Sequence, residues 1–470
     1  MAFTSTTFLF LFLPILLLIY IIIYKFHKIE LENLFLVIVS IIFYAWGGLQ
    51  SCVLLIISIA INYVIGLLLD KWENAVVLRR SIFIIGIIIN LGMLVIYKYS
   101  AFLISIVGSV GKSVDINFSM ETTISSLPLG ISFFTFSIIS YLADVYSRKV
   151  IPQKNPIKLA LFVMLFPKLI MGPIVRYSQI EKDFENREVN LHKTYRGLIR
   201  FVKGFCKKML LANQMGIVAD AIFSMQGGDN FVIAWIGALA YTLQIYIDFS
   251  SYTDMAIGLG NIFGFTFAEN FDYPYVSKSI QEFWRRWHIT LSSWFRDYVY
   301  IPLGGNRKGK ARTYVNLGIV FLLTGIWHGA NWTFIFWGIY HGFFLILERI
   351  RLREILQKAP RAVSHMYTML VVIIGWVMFR AESIPQAIKY ITSMFQFRID
   401  NIWQLDFWKI MNRQYIFFFI ISVICCIPAG KIRKKLCDNI ISDLLLIGIF
   451  IFSIYFMLVS EFNPFIYLRF

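Results

Sequence analysis

Apolar residues fill long, nearly unbroken stretches of this chain, near 7–24, 31–47, 51–69, 81–107, 127–146, 159–175, 229–249, 313–327, 331–347, 366–380, 414–428 and 441–459. Runs of roughly 17–25 apolar residues can cross a bilayer as helices, so the pattern predicts an all-α integral membrane protein with many spans. The segment 159–175, "LALFVMLFPKLIMGPIV", carries Pro167, Lys168, Gly172 and Pro173 within it. A helix interrupted in this way is tolerated at membrane depth only when it is packed in protein or lines a cavity. A re-entrant or in-plane element is expected there. The stretch 193–212, "KTYRGLIRFVKGFCKKMLLA", reads as a basic amphipathic helix lying along the cytoplasmic interface. In 279–299, "SIQEFWRRWHITLSSWFRDYV", the residues Ile280, Phe283, Trp284, Trp287, Leu291, Trp294 and Tyr298 recur at three- and four-residue spacing. That spacing predicts one continuous amphipathic helix, too charged to span. No internal repeat or low-complexity linker interrupts the chain, so residues 1–470 are expected to form a single polytopic domain.

Composition strengthens this picture. Hydrophobic residues make up 58% of the 470 and charged residues only 15%, against about 45–50% and 25% in soluble domains. The mean hydropathy is +0.70. The first apolar run has no basic stretch before it and no small-residue cleavage site after it, so a retained helix is expected rather than a signal peptide. The net charge of +17 does not require a nucleic acid partner. Lys and Arg follow the first, third and fifth spans (Lys25, Lys28; Lys71, Arg79, Arg80; Arg148, Lys149, Lys154, Lys158). This is the bias of cytoplasmic loops facing anionic lipid, and it puts the N-terminus outside. The five cysteines have no paired spacing of metal ligands, and neither a disulfide framework nor a metal site is indicated.

Candidate chemistry sits on histidines in apolar surroundings. "GIWHGANWTFIFWGIYHG" (325–342) lies between the basic runs 304–312 and 348–354, with about 35 residues to go out and return. Two full spans need roughly 20 residues each plus a turn. The turn "HGAN" is therefore expected inside the bilayer or just short of its outer face, with His328 ending the first arm. An ionisable group at that depth is a functional candidate, because burying it is costly unless it is used or paired; a His capping broken backbone is the alternative. His341, 13 residues on, is expected to be structural. His288 falls on the apolar face of the predicted 279–299 helix, with Arg285, Arg286 and Arg296 left near cytoplasmic water. A buried His with a hydrogen-bond partner would look the same. Asp248 and Asp254 lie at the end of, or inside, an apolar run, and a helix cap or an ion pair with an Arg is expected of them ahead of catalysis.

The stretches "DFSSYTDMAIGLGNIFGF", "AENFDYPY", "FWRRWHITLSSWFRDYVYIPLGG", "GIWHGANWTFIFWGIYHG" and "NPFIYLRF" together resemble the membrane-bound O-acyltransferase family, specifically its bacterial alginate O-acetyltransferase subgroup. The resemblance extends over most of the chain and is strongest from about 240 to 345. Ser251 departs from it, standing where a Gly would be expected. The resemblance implies a ring of transmembrane helices around a central tunnel, with His328 as the catalytic His and His288 at the family's second, His- or Asn-type position. Such chemistry needs one general base beside an acceptor hydroxyl, since a thioester is already an activated electrophile.

The resemblance further implies acetyl-coenzyme A as the cytoplasmic donor substrate, with no tightly bound cofactor. The acceptor would be an extracellular polysaccharide (alginate-, cellulose- or peptidoglycan-like), served by an SGNH-type esterase-like partner outside the plasma (inner) membrane. Arg285, Arg286 and Arg296, with Arg307 and Lys308 behind them, are candidates for the coenzyme A phosphates. The aromatics of 381–413, Phe395, Phe397, Trp403, Phe407 and Trp408, suit either an interfacial helix or docking of that partner. Two rival readings are D-alanyl transfer from a carrier protein to teichoic acid and a transporter or flippase, which broken helices and buried ionisable groups would also suit.

Overall fold

The computed structural model describes residues 1–113, 127–225, 230–397, 410–428, 440–459 and 465–466, and every regular element among them is helical. Six of these helices are long and apolar enough to cross a membrane: Leu49–Lys71, Val76–Ser109, Phe231–Ile262, Trp332–Lys358, Arg361–Arg380 and Ile441–Val459. Their outward faces are apolar too. In Leu49–Lys71, the residues Leu49, Val53, Ile57, Ile61 and Val64 recur about once per turn and are all exposed. Such a stripe is unfavourable against water and at home against lipid tails. The protein is a multi-pass membrane protein, as the hydrophobic pattern predicts.

Two compact units divide the chain: Met1–Arg200 with Met255–Ala268, and Phe201–Asp254 with Glu269–Phe470. In the first, the spans Leu49–Lys71 and Val76–Ser109 are joined by a reciprocal amide pair. Asn62 Nδ2 donates to Asn90 Oδ1 at 3.1 Å and Asn90 Nδ2 donates back to Asn62 Oδ1 at 2.7 Å. The interrupted segment breaks at Leu165, between the helices Pro156–Met164 and Phe166–Leu169. Pro167 has no N–H for the carbonyl of Val163 four residues back, and the buried Lys168 ammonium reaches that carbonyl instead, at 3.5 Å. The whole stretch from Leu161 to Val175 is buried, as a broken helix requires. The amphipathic helix is Leu191–Cys206, with Leu191, Tyr195 and Leu198 exposed. It runs on into a π-helical turn, Lys207–Ala212.

In the second unit that π-helical turn changes the expected role of the basic residues. Lys208 is buried, not interfacial, and its ammonium meets Asp248 Oδ1 at 2.6 Å. Lys207 pairs with Asp254 at 2.8 Å. Asp248 and Asp254 are thus partnered by lysines, where a cap or an arginine is expected from sequence. Both lie inside one helix, Phe231–Ile262, which continues well past the apolar run ending near 249. Asp248 Oδ2 also accepts the backbone N–H of Ile466 at 2.7 Å, and Lys208 sits over the Phe465 ring at 4.5 Å. Ser251, the departure from the family pattern, is absorbed in the helix by donating to the Asp248 carbonyl at 2.6 Å.

Candidate active site

The helices Lys310–His328 and Trp332–Leu347 form the hairpin predicted around "HGAN". Asn331 caps the second arm by accepting from the backbone N–H of Thr333 at 3.1 Å. The arms touch backbone to backbone at Gly325 and Gly338: a Cβ on Gly325 would strike the Phe334 carbonyl, and one on Gly338 the Phe321 carbonyl. Small residues allow that approach, and it fixes where the first arm ends. That end is His328, 4% exposed. Its ring is met edge-on by Trp337 at 5.0 Å, by Phe379 at 5.1 Å and by Trp327 at 5.0 Å.

Four residues beyond Trp337 on the second arm lies His341, fully buried and edge-on to Trp337 at 5.0 Å and to Trp284 at 5.1 Å. The hairpin therefore sets His328 and His341 around one indole. Neither ring nitrogen of His341 has a hydrogen-bond partner among the described residues.

The predicted continuous helix over 279–299 is instead two helices, Ile280–Arg286 and Ile289–Phe295. Between them Trp287 is extended and His288 is left-handed, with φ +44 and ψ +54. His288 is thus the elbow itself rather than a member of an apolar helix face. The first helix is started by Glu348, whose carboxylate accepts the N–H groups of Ile280 (2.6 Å) and Gln281 (3.0 Å). Trp287 anchors the break by packing on Trp376 at 4.7 Å and Phe271 at 5.1 Å.

Asn270 holds the elbow. Its backbone carbonyl accepts the N–H of Ile289 at 2.9 Å. Its Oδ1 accepts the Thr290 N–H at 3.2 Å and the Thr290 hydroxyl at 2.9 Å. That atom is therefore the amide oxygen, and His288 Nδ1, 3.0 Å from it, carries the hydrogen. The Nε2 lone pair is left without a partner among the described residues. Burial pushes the His288 pKa down to about 3, so the ring is neutral at physiological pH. Its ring lies 6.0 Å from Trp327, the residue adjoining His328. Asn270 belongs to the "AENFDYPY" stretch but gives no chemical signal in sequence, because its role depends on a contact 18 residues away.

The arginines separate. Arg285 and Arg286 line an open cleft of about 690 Å³ together with Lys278, Arg353 and Arg361. Arg286 is held by Asp272 at 2.9 Å and by Glu282 at 3.0 Å. Arg296 lies outside the cleft, exposed and paired with its neighbour Asp297 at 2.7 Å. Arg307 and Lys308 sit on an exposed turn and do not line it either. Of the 381–413 aromatics, Phe397 stacks on Phe231 at 4.9 Å and Phe395 meets Trp235 at 6.2 Å. Trp403, Phe407 and Trp408 lie outside the described residues.

The model of the membrane-bound O-acyltransferase family matches residues 114–385, which include the elbow, the hairpin and Asn270. The chain belongs to the membrane-bound O-acyltransferase family. It is 43% identical over 412 residues to the Pseudomonas putida protein named probable alginate O-acetylase AlgI, covering 86% of this chain and 82% of the relative. It is 38% identical over 424 residues to the peptidoglycan O-acetyltransferase of Helicobacter pylori, covering 83% and 79%. A teichoic acid D-alanyltransferase of Bacillus subtilis is 32% identical over 227 residues, 45% of this chain and 56% of the relative. This member of the family is an acyltransferase, and the transporter reading is set aside.

Proposed function

We propose that the chain transfers an acetyl group from cytoplasmic acetyl-coenzyme A, across the plasma membrane, toward the hydroxyls of an extracellular polysaccharide. The observation that carries this reading is the convergence of two buried imidazoles, His328 and His288, on the Trp327 ring in a chain of this family. Acetyl is favoured over D-alanyl because the relatives named for O-acetylation match over about four-fifths of both chains, and the D-alanyltransferase over about half. The N-terminus outside and the basic loops inside give the donor its cytoplasmic entrance.

In this reading His328 takes the proton of the acceptor hydroxyl as its oxygen attacks the thioester carbonyl carbon. The C–O bond forms, the C–S bond breaks, and the imidazolium returns the proton to the departing thiolate. His288 is neutral, and its Nε2 lone pair accepts a hydrogen bond from a second, non-reacting hydroxyl of the acceptor and so orients the substrate. Arg285 meets phosphate of the donor. An SGNH-type partner outside the membrane receives the acyl group or places it on the polymer, docking near 381–413 and the outer end of the hairpin.

The test is acetyl analysis of the cell's polymers with and without the gene, paired with coenzyme A release from acetyl-coenzyme A by the purified protein. Loss of polymer acetyl groups in the deletion and turnover in vitro support the reading. Unchanged acetyl content, or loss of D-alanine esters instead, overturns it.

A further inference from the structure

His341 is a fully buried imidazole without a part in the transfer step given so far. It lies on the second hairpin arm, edge-on to Trp284, Trp337 and Tyr340 at 5.1, 5.0 and 5.3 Å. Tyr340 donates to the Val371 carbonyl at 3.0 Å and holds the helix Arg361–Arg380 against this point of the arm. A Cβ built on Gly375 of that helix would lie 2.5 Å from His341 Nε2. In glycine a hydrogen stands in that direction, so a Cα–H points at Nε2. Such a C–H is a weak donor and meets a lone pair, whereas an N–H there would set hydrogen against hydrogen. The neutral ring has one N–H and one lone pair, so its hydrogen is on Nδ1. That N–H has no acceptor among the described residues, and the same holds for the indole N–H groups of Trp337 and Trp284. A buried donor left unsatisfied is costly and calls for a ligand or a catalytic role. Three such rings touch one another here, with donors only. They select a ligand atom that only accepts. A carbonyl oxygen or an oxyanion answers that description, whereas a hydroxyl or a water brings hydrogens of its own.

The spacing from His328 agrees. His328 meets Phe379 at 5.1 Å, and His341 faces Gly375. Those two residues are four apart on one helix, about 6 Å along its axis. Each imidazole is 5.0 Å from the Trp337 ring. The separation accommodates a carbonyl group with its carbon beside a hydroxyl held by one ring and its oxygen within reach of the other.

We infer that His341 is a further catalytic residue, whose Nδ1–H, with the Trp337 indole N–H, donates to the thioester carbonyl oxygen and stabilises the oxyanion formed in transfer. This rests on the acyl-transfer reading above, but any thioester donor presents that carbonyl. As the acceptor oxygen bonds to the carbonyl carbon, the C=O π pair moves onto its oxygen, which accepts both hydrogen bonds and takes neither proton. The C=O then re-forms, the C–S bond breaks, and the thiolate takes its proton from His328. His341 ends the cycle unchanged. Donors fixed in advance where charge develops lower the barrier without reorganising during the reaction.

The test compares His341→Phe, which fills the space without a donor, with His341→Gln, which restores an N–H. His341→Leu repeats the donorless case with a smaller side chain. Coenzyme A release by each purified protein is followed against acetyl-coenzyme A concentration and pH, beside its thermal transition. The donorless variants should lose roughly 10²–10³-fold in kcat, the usual worth of one oxyanion donor. Their KM, pH profile and thermal transition should stay those of the parent, and His341→Gln should regain a large part of the loss. Turnover near the parent's in a donorless variant overturns the inference. So does activity lost only in step with folded protein, which is what a packing role gives. A rise in KM that accounts for the whole loss also overturns it, because the N–H then serves binding alone. A second arm is free of donor identity: base-labile esters on the polymer, measured in cells lacking the gene and carrying each variant. If His341→Gln restores those esters and the donorless variants do not, while acetyl-coenzyme A is not turned over in vitro, the oxyanion assignment stands and the acetyl-coenzyme A reading falls.

Discussion

Asn270 and His288 are joined by a 3.0 Å hydrogen bond whose direction is fixed by a third group, the backbone N–H of Thr290. The bond places the His288 proton on Nδ1 and turns the Nε2 lone pair away from Asn270. A histidine held neutral in one tautomer can accept a hydrogen bond but is a poor proton store, so in the proposed mechanism its task is positioning and the proton transfer is left to His328.

The first prediction concerns that task. His288→Asn keeps a polar side chain and suits the left-handed backbone at φ +44, a conformation Asn tolerates better than most residues. His288→Leu loses both. Acyl transfer should be markedly better retained in the Asn variant, and the acid limb of its pH–rate profile should match that of the parent, because His288 titrates near 3 and not in the working range. A shifted acid limb in His288→Asn would show that His288 carries the catalytic proton.

For His328, the expected outcome is severe. His328→Ala should insert and accumulate normally yet lose roughly 10²–10⁴-fold in coenzyme A release, the usual contribution of a general base. Purified variant retaining most of its turnover would remove His328 from the mechanism.

Asp248 should matter for stability. Removing one partner of a buried ion pair leaves an uncompensated charge and costs about 3–5 kcal/mol. Asp248→Asn strands the Lys208 ammonium and should lower the thermal transition in detergent. Asp248→Asn/Lys208→Met removes the stranded charge and should regain part of the loss. A double variant no more stable than the single would show that the stranded ammonium is not the source of the loss.

The hairpin offers a packing test. Gly325→Leu forces a side chain between arms that touch at Gly338. Overpacking of this kind costs typically 1–3 kcal/mol, and here it should also move His328, lowering both the thermal transition and kcat. Gly318→Ala, on the same arm with nothing within 4 Å of the added Cβ, is the matched control and should behave like the parent.

Much of this was legible in the sequence because the bilayer makes strong demands. Each predicted apolar stretch other than the interrupted 159–175 is largely helical, and the Gly and Asn of "HGAN" mark the turn that leaves His328 at an arm's end. The elbow was not legible. Trp284, Trp287 and Leu291 keep helical spacing straight across it, no Gly or Pro marks the break, and the groups that enforce it, Glu348 and Asn270, are distant along the chain. Nor does the apolar run near 249 disclose that its helix continues to Ile262, because the acids that interrupt the run are neutralised by lysines 40 and 47 residues earlier. The grouping of Arg353 and Arg361 with Arg285 likewise depends on the fold bringing separate helix ends to one cleft.

The bond from Ile466 to Asp248 spans 218 residues, and that separation has a meaning in time. At about 5–20 residues per second of synthesis, roughly 10–40 s pass between the two being made. Lys208, already translated, is the one Asp248 partner of the two available through that interval. The ammonium is thus available to the carboxylate throughout that interval, and the backbone donor only after it.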